Sequence, residues 1–385
     1  VDHTAGVLPF RRKFEALAAY PDIDLTVVAP ARWIENYRVV GAAPAEEAGY
    51  RFRTGAVVWP GYENRAFFRS GLGSAIRRAQ PDIIHLWEEP FSLIALQALW
   101  HAAIWAPHAK VIFFSSDNLS RDFRYAYRPS WFYAGVERLV HRRCAAGTAV
   151  SEEVVEVLHA KGFRRPIVVV PHGIDLSDFE ATGDEGKQIG RRASPAEVKE
   201  RLGLDPPVIG YVGRLLHQKG VDLLLRAVDS LGGKSVSLAI VGDGPARAEL
   251  EALATGLNMG DRVRFLPAVP HGGIAEILAC MDILVLPSRT TPKWKEQFGR
   301  VLIEGMAAGC VVIGSSSGAI PEVLGDAGMV FREDDVESLA QALRRAREEP
   351  GLAAATRIRG RRRVTEHYTW EVVANRLRSL YERLL

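Results

Sequence analysis

Cysteine is scarce: there are three in 385 residues, Cys144, Cys280 and Cys310. They lie far apart, none forms a C-x-x-C pair, and their odd number leaves at least one free thiol. This fits small buried residues in a reducing cytosol rather than a disulfide framework. Long apolar runs are also missing. Crossing a bilayer takes about 18 consecutive apolar residues; the longest candidate, near Leu93–Trp105, is interrupted by Gln97 and His101. No basic-then-apolar leader opens the chain, so a cytoplasmic location is expected. No repeat of solenoid, collagen or heptad period appears. Charge of one sign is lacking too, with Lys+Arg 49 against Asp+Glu 46, a net of +3. Such a near-neutral total argues against a nucleic-acid partner. Up to His172 there are 21 basic and 17 acidic residues, a net of +4, and the rest nets −1. The first half therefore favours an anionic partner weakly. At 48% hydrophobic and 25% charged, the chain is not disordered, and its length suits two ordinary domains.

Short apolar runs ending in Gly, Pro, Ser or Asp alternate with amphipathic segments. Strands are expected at Ile23–Ala29, Arg51–Trp59, Ile83–Trp87, Lys110–Ser115, Thr148–Val150 and Ile167–Val170. Between them, helices are expected at Phe10–Ala19, Arg65–Ala79, Ser92–Trp105, Trp131–Arg143 and Ser151–Lys161. The second half alternates in the same way from Val208 to Leu384. Near-continuous Val/Ile/Leu strands imply parallel strands covered on both faces, hence two consecutive doubly wound α/β units. The polar stretch Leu176–Pro195 reads as a linker or surface excursion. A doubly wound domain opens on a strand, but here the loop-like Asp2-His-Thr-Ala-Gly-Val7 follows only Val1. The first strand is expected to be missing from this chain or removed from it.

In an open parallel sheet the ligand sits beyond the carboxyl ends of the strands. In the second half, Val208–Val212 leads into Gly213-Arg-Leu-Leu-His-Gln-Lys-Gly220. Arg214 and Lys219 are two cations on one short loop, able to neutralise a diphosphate and the charge of its departure. Ser237–Val241 leads into Gly242-Asp-Gly-Pro245, a tight turn with Arg247 at the third glycine position, so a nicotinamide site is not expected. Ile283–Leu286 leads into a loop holding Glu296, then a helix holding Glu304. Eight residues of helical rise are roughly 12 Å. Two carboxylates at that spacing suit the hydroxyls of a ribose and of a hexose at opposite ends of one ligand. The N–H groups near Gly299–Leu302 can take phosphate between them.

Gly213-Arg214…Lys219-Gly220, Val241-Gly-Asp-Gly244, Glu296-Gln-Phe-Gly-Arg-Val-Leu-Ile-Glu304 and Gly318-Ala-Ile-Pro-Glu322 together resemble the signature set of glycosyltransferase family 4. The resemblance spans most of the chain. It implies an α/β GT-B fold, with two Rossmann-like doubly wound domains facing across a cleft. It also implies a retaining, nucleotide-sugar-dependent transferase. By residue it implies diphosphate binding by Arg214 and Lys219, contact of Glu296 with the transferred sugar, and a ribose held by Glu304. Sugar and phosphate would meet Phe298, Gly299, Arg300 and Val301. Gly213 and Gly242 would line the donor site, and Pro267 and Val269 lie in a segment resembling the base-contacting loop. The implied domains are an acceptor-binding domain over 1–172, joined by the C-terminal helix 368–385, a linker over 173–206, and a donor domain over 207–367. No tightly bound cofactor is implied, and no metal requirement. Asp22-Ile-Asp24 has the D-x-D form of metal-dependent transferases, but it opens a strand at the end away from ligand and reads as a polar strand entry.

The first half resembles the family's acceptor domain less closely. Its first loop offers one glycine, Gly6, where the family has a pair reaching the donor phosphates. Ser115-Ser-Asp-Asn118 stands where many members carry a His, and Asp117 or Asn118 would take the acceptor-side polar role. Glu89, in Glu88-Glu89-Pro90, is a further acceptor-side candidate, although a helix-start acid pair explains it better. Arg121–Tyr133 interleaves aromatics with arginines. It could line an acceptor site, touch an anionic membrane or pack a helix. The expected partners are a nucleoside-diphosphate sugar and a glycan, lipid or small-molecule acceptor. The alternatives are a GT-B epimerase, a sugar phosphorylase or a non-catalytic sugar-nucleotide-binding protein.

Overall fold

The computed structural model describes residues 1–385 apart from 7, 36–37, 43–44, 48, 120–127, 181–193 and 233–235. Two compact units account for it: Val1–Gly173 with Trp370–Leu385, and Ile174–Thr369.

In the first unit, β1 (Leu25–Pro30), β2 (Ala45–Glu47) and β3 (Tyr50–Gly55) form one sheet, β1 parallel and β2 antiparallel to β3. A second sheet is wholly parallel, with β4 (Ile83–Leu86), β5 (Lys110–Ser115), β6 (Ala146–Ala149) and β7 (Ile167–Val169) in the order β7-β6-β5-β4. Helix α1 (Arg12–Ala18) precedes β1, and α2 (Leu72–Ala79), α3 (Leu93–Trp105), α4 (Ser130–Arg143) and α5 (Glu152–Ala160) lie between successive strands from β3 to β7. Val1 and Asp2 enter the space between β1 and β4: the Val1 nitrogen donates to the His85 carbonyl at 2.8 Å, and Asp2 N–H to that of Val28 at 3.0 Å. The helix expected over Arg65–Ala79 starts only at Leu72. Residues before it join the strand pair Val57–Val58/Phe67–Phe68, and the Gln97 amide takes both backbone groups of Phe68. An antiparallel pair Arg32–Glu35/Arg38–Gly41 was not apparent from the sequence.

The second unit is one six-stranded parallel sheet. Its strands are β8 (Val208–Val212), β9 (Ser237–Val241), β10 (Val263–Leu266), β11 (Ile283–Leu286), β12 (Val311–Ser315) and β13 (Met329–Phe331), in the order β10-β9-β8-β11-β12-β13. Every residue of β9, β11 and β12 is buried, as strands covered on both faces require. The covering helices are α6 (Pro195–Leu202), α7 (Val221–Ser230), α8 (Arg247–Gly256), α9 (Ile274–Ala279), α10 (Arg300–Ala307), α11 (Ile320–Leu324), α12 (Val336–Glu348) and α13 (Pro350–His367). α6 lies inside the stretch expected to be linker and starts on a Ser194/Glu197 capping box. α13 shows little apolar periodicity because its buried stripe is Ala353, Thr356, Gly360 and Val364, small residues that let it lie close to α10.

The last helix, α14 (Trp370–Leu384), belongs to the first unit. Its apolar stripe Trp370, Val373, Ala374, Leu377 packs with Leu17 and Val170. Tyr381 hydroxyl meets His85 Nδ1 at 2.9 Å, and burial holds that imidazole neutral.

Candidate active site

The strand order of the second unit reverses between β8 and β11. Chain to one side of that pair runs to β9 and β10, and chain to the other side to β12 and β13. Helices following β8 and β11 therefore lie on opposite faces, and the loops leaving these two strands part to open a crevice. The cationic turn leaves β8 and the acidic loop leaves β11, so residues far apart in sequence meet there for a topological reason.

The meeting is direct. Lys219 Nζ lies 2.6 Å from Glu296 Oε2, and Ser288 Oγ donates to the same oxygen at 2.7 Å. Both charged side chains are largely buried. The Trp294 ring centroid is 4.8 Å from the ammonium. Trp294 is held by a tight Thr291-Pro292-Lys293-Trp294 turn, with Thr291 N–H donating to the Trp294 carbonyl at 2.7 Å. A cation over an aromatic face adds about 0.5–2 kcal/mol, more as the pair is withdrawn from water.

Backbone packing brings these loops together. Gly220 has φ +66, and a Cβ there would lie 2.0 Å from the Pro287 carbonyl oxygen. Gly318 has φ +54, and a Cβ would lie 2.0 Å from the Glu296 carbonyl, to which Ala319 N–H donates at 3.0 Å. Only glycine fits both the dihedral and the contact at either place. Arg289 N–H donates to the Gln218 carbonyl at 2.9 Å, and its guanidinium meets Asp222 at 2.9 Å and Asp334 at 2.8 Å. Ser288, Arg289 and Trp294 were not singled out from the sequence. Only their adjacency to Glu296 on the loop could have marked them.

Arg214 is exposed, beside the bond from the Tyr211 hydroxyl to its carbonyl at 2.8 Å. Gly213 and Gly242 stack: a Cβ on Gly242 would lie 1.9 Å from the Gly213 carbonyl oxygen. Pro267 and Val269 follow β10 at the same edge of the sheet. Gly299, at φ +79, precedes α10 as its N-cap. Phe298 is buried with its ring 5.8 Å from that of Tyr368. Glu304 is buried in the second turn of α10, 3.3 Å from Arg300 Nε. Burial pushes its carboxyl up to about 7, against the opposing pull of Arg300.

The acceptor-side candidates and Gly6 belong to the first unit. Gly6 closes the 3-10 turn His3–Gly6. Glu89 accepts from Ser115 Oγ at 2.7 Å and from Ser116 N–H at 2.7 Å, which puts it beside Asp117 at the carboxyl ends of β4 and β5. Burial, and then the Asp117 charge, raise its carboxyl to about 7. Lys161 Nζ lies 3.4 Å from Asp117 and 3.2 Å from Glu137. Asn118 donates to Glu153 at 2.8 Å. Glu88 and Glu89 are not the helix-start acid pair expected from the sequence. α3 is capped by Ser92, which accepts from Ala95 N–H, while Glu88 accepts from His3 and Glu89 from the serines. A helix-start acid would instead face free N–H groups, and here the Ser92 cap supplies the acceptor for one of them.

Asp22 pairs with Arg378 at 3.1 Å and Asp24 with Arg51 at 2.5 Å, both at the amino end of β1. The three cysteines are buried, with Cys144 and Cys310 pushed up to about 12 and Cys280 to about 11 by burial. Arg121–Tyr133 lies largely outside the described residues. Of its end, Tyr133 packs on Phe91, while Trp131 stays exposed.

Residues 15–178 match the Glycosyltransferase Family 4 domain, and residues 195–363 match the glycosyl transferases group 1 domain. The 2-deoxystreptamine glucosyltransferase of Streptomyces kanamyceticus is 31% identical over 262 residues, 65% of this chain and 63% of that protein. A GDP-mannose-dependent alpha-(1-6)-phosphatidylinositol monomannoside mannosyltransferase of Mycolicibacterium smegmatis is 31% identical over 55% of each chain. The chain thus spans less than two thirds of the length of these relatives. Sucrose-phosphate synthase of Thermosynechococcus elongatus has a similar fold, with a TM-score of 0.69 at 21% identity over 97% of this chain and 92% of its own. Anabaena HepE in complex with UDP gives 0.67 at 19% identity, over 81% of this chain and 82% of its own. From its two matched domains and its two parallel α/β units, this chain belongs to the family 4 glycosyltransferases and has the GT-B fold.

Proposed function

We propose that the chain transfers a hexose from a nucleoside diphosphate to an acceptor hydroxyl, with retention at the anomeric carbon. The observation that supports this most is the Lys219–Glu296 pair at the reversal of strand order. An ammonium for phosphate and a carboxylate for sugar hydroxyls stand side by side where the two halves of a sugar nucleotide adjoin. In this reading Lys219 and Arg214 stabilise the departing diphosphate. The bond from the anomeric carbon to the diphosphate breaks, the bond to the acceptor oxygen forms on the same face, and the acceptor proton passes to the leaving phosphate oxygen. The rate then comes from positioning and from stabilising developing charge. Glu296 holds the sugar, Glu304 the ribose, and the backbone of Phe298–Val301 the phosphate and sugar. Gly6, Gly213, Gly242, Pro267 and Val269 complete the donor side. Glu89, Asp117 and Asn118 orient the acceptor, a glycan, a lipid or a small molecule. A cytoplasmic protein with peripheral membrane contact suits such an acceptor. No residue or relative described above favours the epimerase, phosphorylase or non-catalytic reading.

The test is a thermal-shift panel of UDP-, GDP- and ADP-sugars in EDTA, followed by donor hydrolysis assays. One base is expected to raise the melting temperature without added metal. No shift with any of them, or turnover that vanishes in chelator, would count against this reading.

Glu304 adds a pH dependence with a definite sign. Its carboxyl titrates near 7, and only the carboxylate accepts from two ribose hydroxyls. Sugar-nucleotide affinity is therefore expected to rise about tenfold from pH 6 to pH 8, following the ionised fraction. Stability has the opposite sign, because the folded carboxyl binds its proton more tightly than the unfolded one. Its contribution is full below the ordinary value of 4.5 and is lost as pH rises through about 7. Calorimetry at several pH values, with Glu304→Gln as the flat control, checks the binding slope.

A further inference from the structure

We propose that the outer face of α3 and α4 docks on an anionic lipid bilayer. The inference deepens the peripheral-contact reading above by naming its surface, and it does not depend on the donor chemistry.

The face is unusual by composition. α3 carries thirteen residues and no charge, Leu-Ile-Ala-Leu-Gln-Ala-Leu-Trp-His-Ala-Ala-Ile-Trp. Half of such a helix faces away from the core, so apolar side chains are forced outward. Trp100 is 61% exposed, and Ile104 and Trp105 are exposed beside it. On α4, Leu139 is exposed and Trp131 is 73% exposed. Five of the twelve large exposed apolar side chains among the described residues thus sit on these two helices, which makes them a patch rather than scattered singles. The helices adjoin through a shallow groove lined by Leu96, Leu99, Trp100 and Ala103 from α3 and by Leu139 and Arg143 from α4.

The rim has one sign. Trp131, Arg138 and Arg142 share one stripe of α4, at i, i+7 and i+11. Arg143 lines the groove, and the Arg77 guanidinium sits 4.9 Å from the Trp105 ring centroid, with Arg78 beside it on α2. Across α2, α3 and α4 the one acid is Glu137, and it is turned inward to Lys161 at 3.2 Å. Beyond the helices, Asp82 and Lys110 stand together at the near strand ends. Indoles at the boundary, aliphatic side chains between them and arginines reaching toward headgroups match an anionic interface. A second copy fits poorly, since self-pairing through this face would bring the arginines together. Nucleic acid fits poorly as well, because the middle of the face has no charged group for a phosphate backbone.

The test is co-sedimentation of the full chain with vesicles of phosphatidylcholine alone or with about one third phosphatidylglycerol. Binding is expected to be at least tenfold tighter to the anionic vesicles. The triple change Arg138→Ala, Arg142→Ala, Arg143→Ala is expected to lower it about 100-fold, at roughly fivefold per arginine. Trp100→Ser with Ile104→Ser is expected to lower binding to both vesicle types. All five positions are exposed, and an unchanged circular dichroism spectrum and melting transition confirm folding in each variant. No vesicle binding, or binding indifferent to both sets of changes, would overturn the proposal while leaving the transferase reading intact. So would a dimer in light scattering that disappears in Trp100→Ser/Ile104→Ser.

Discussion

Replacing Lys219 by Ala is expected to lower kcat/KM about 10²–10³-fold, the range found when one pre-positioned donor to a developing oxyanion is removed. The effect is large because the ammonium is placed beforehand. Glu296 holds it at 2.6 Å, the Trp294 ring covers it, and Ser288 orients the carboxylate. Little reorganisation remains when the diphosphate arrives. Lys219→Arg keeps the charge but replaces a compact ammonium with a planar fork, so it is expected to recover only part of the loss. Arg214→Ala is expected to cost a similar order, although Arg214, unlike Lys219, is exposed. Initial rates with the donor chosen by the sugar-nucleotide panel measure both. Near-normal turnover in both alanine variants would remove the diphosphate from this loop.

Gly220→Ala is expected to have the largest effect on stability. A left-handed φ of +66 costs a Cβ-bearing residue about 1 kcal/mol, and the 2.0 Å approach to Pro287 O forces β8 and β11 loops apart for about 1–3 more. For a unit of this size, about 3 kcal/mol corresponds to a fall of roughly 6–12 °C in Tm. Gly232→Ala separates the two causes. It has nearly the same dihedral, φ +67, with nothing within 4 Å of the added carbon. It is therefore expected to lower Tm by only about 2–4 °C. Equal losses in the two variants would mean that the loop contact contributes nothing. Gly220→Ala is also expected to depress turnover beyond its stability loss, since Lys219 is the adjacent residue.

The second unit was the more legible half. Its strands β9, β11 and β12 are Val/Ile/Leu-rich runs buried on both faces, and each ends in or runs into a Gly, Pro or Ser that marks where the following loop begins. Arg214, Lys219, Glu296 and Glu304 are visible for that reason: each is a charged residue just past such a run or on the helix that follows it. The first unit was harder to read. Its strand pair Arg32–Glu35/Arg38–Gly41 and the Phe67–Phe68 strand are short, and contacts such as Gln97 on Phe68 help to set them. α13 escaped notice because it packs through Ala, Thr and Gly, which periodicity does not register as a core face.

Local sequence determined the elements, the cations, the acids and the turns, because propensity and apolar period act over a few residues. Which of these groups touch was decided by strand order alone: β11 enters beside β8 rather than β10, and residues 77 positions apart become partners at 2.6 Å. Pairing of that kind follows from how a sheet is wound, and no window of sequence contains it. The same holds for the elevated carboxyls of Glu89 and Glu304 and for the arginine-rimmed indoles of α3 and α4. Burial and surface neighbourhood arise only once the chain has closed on itself.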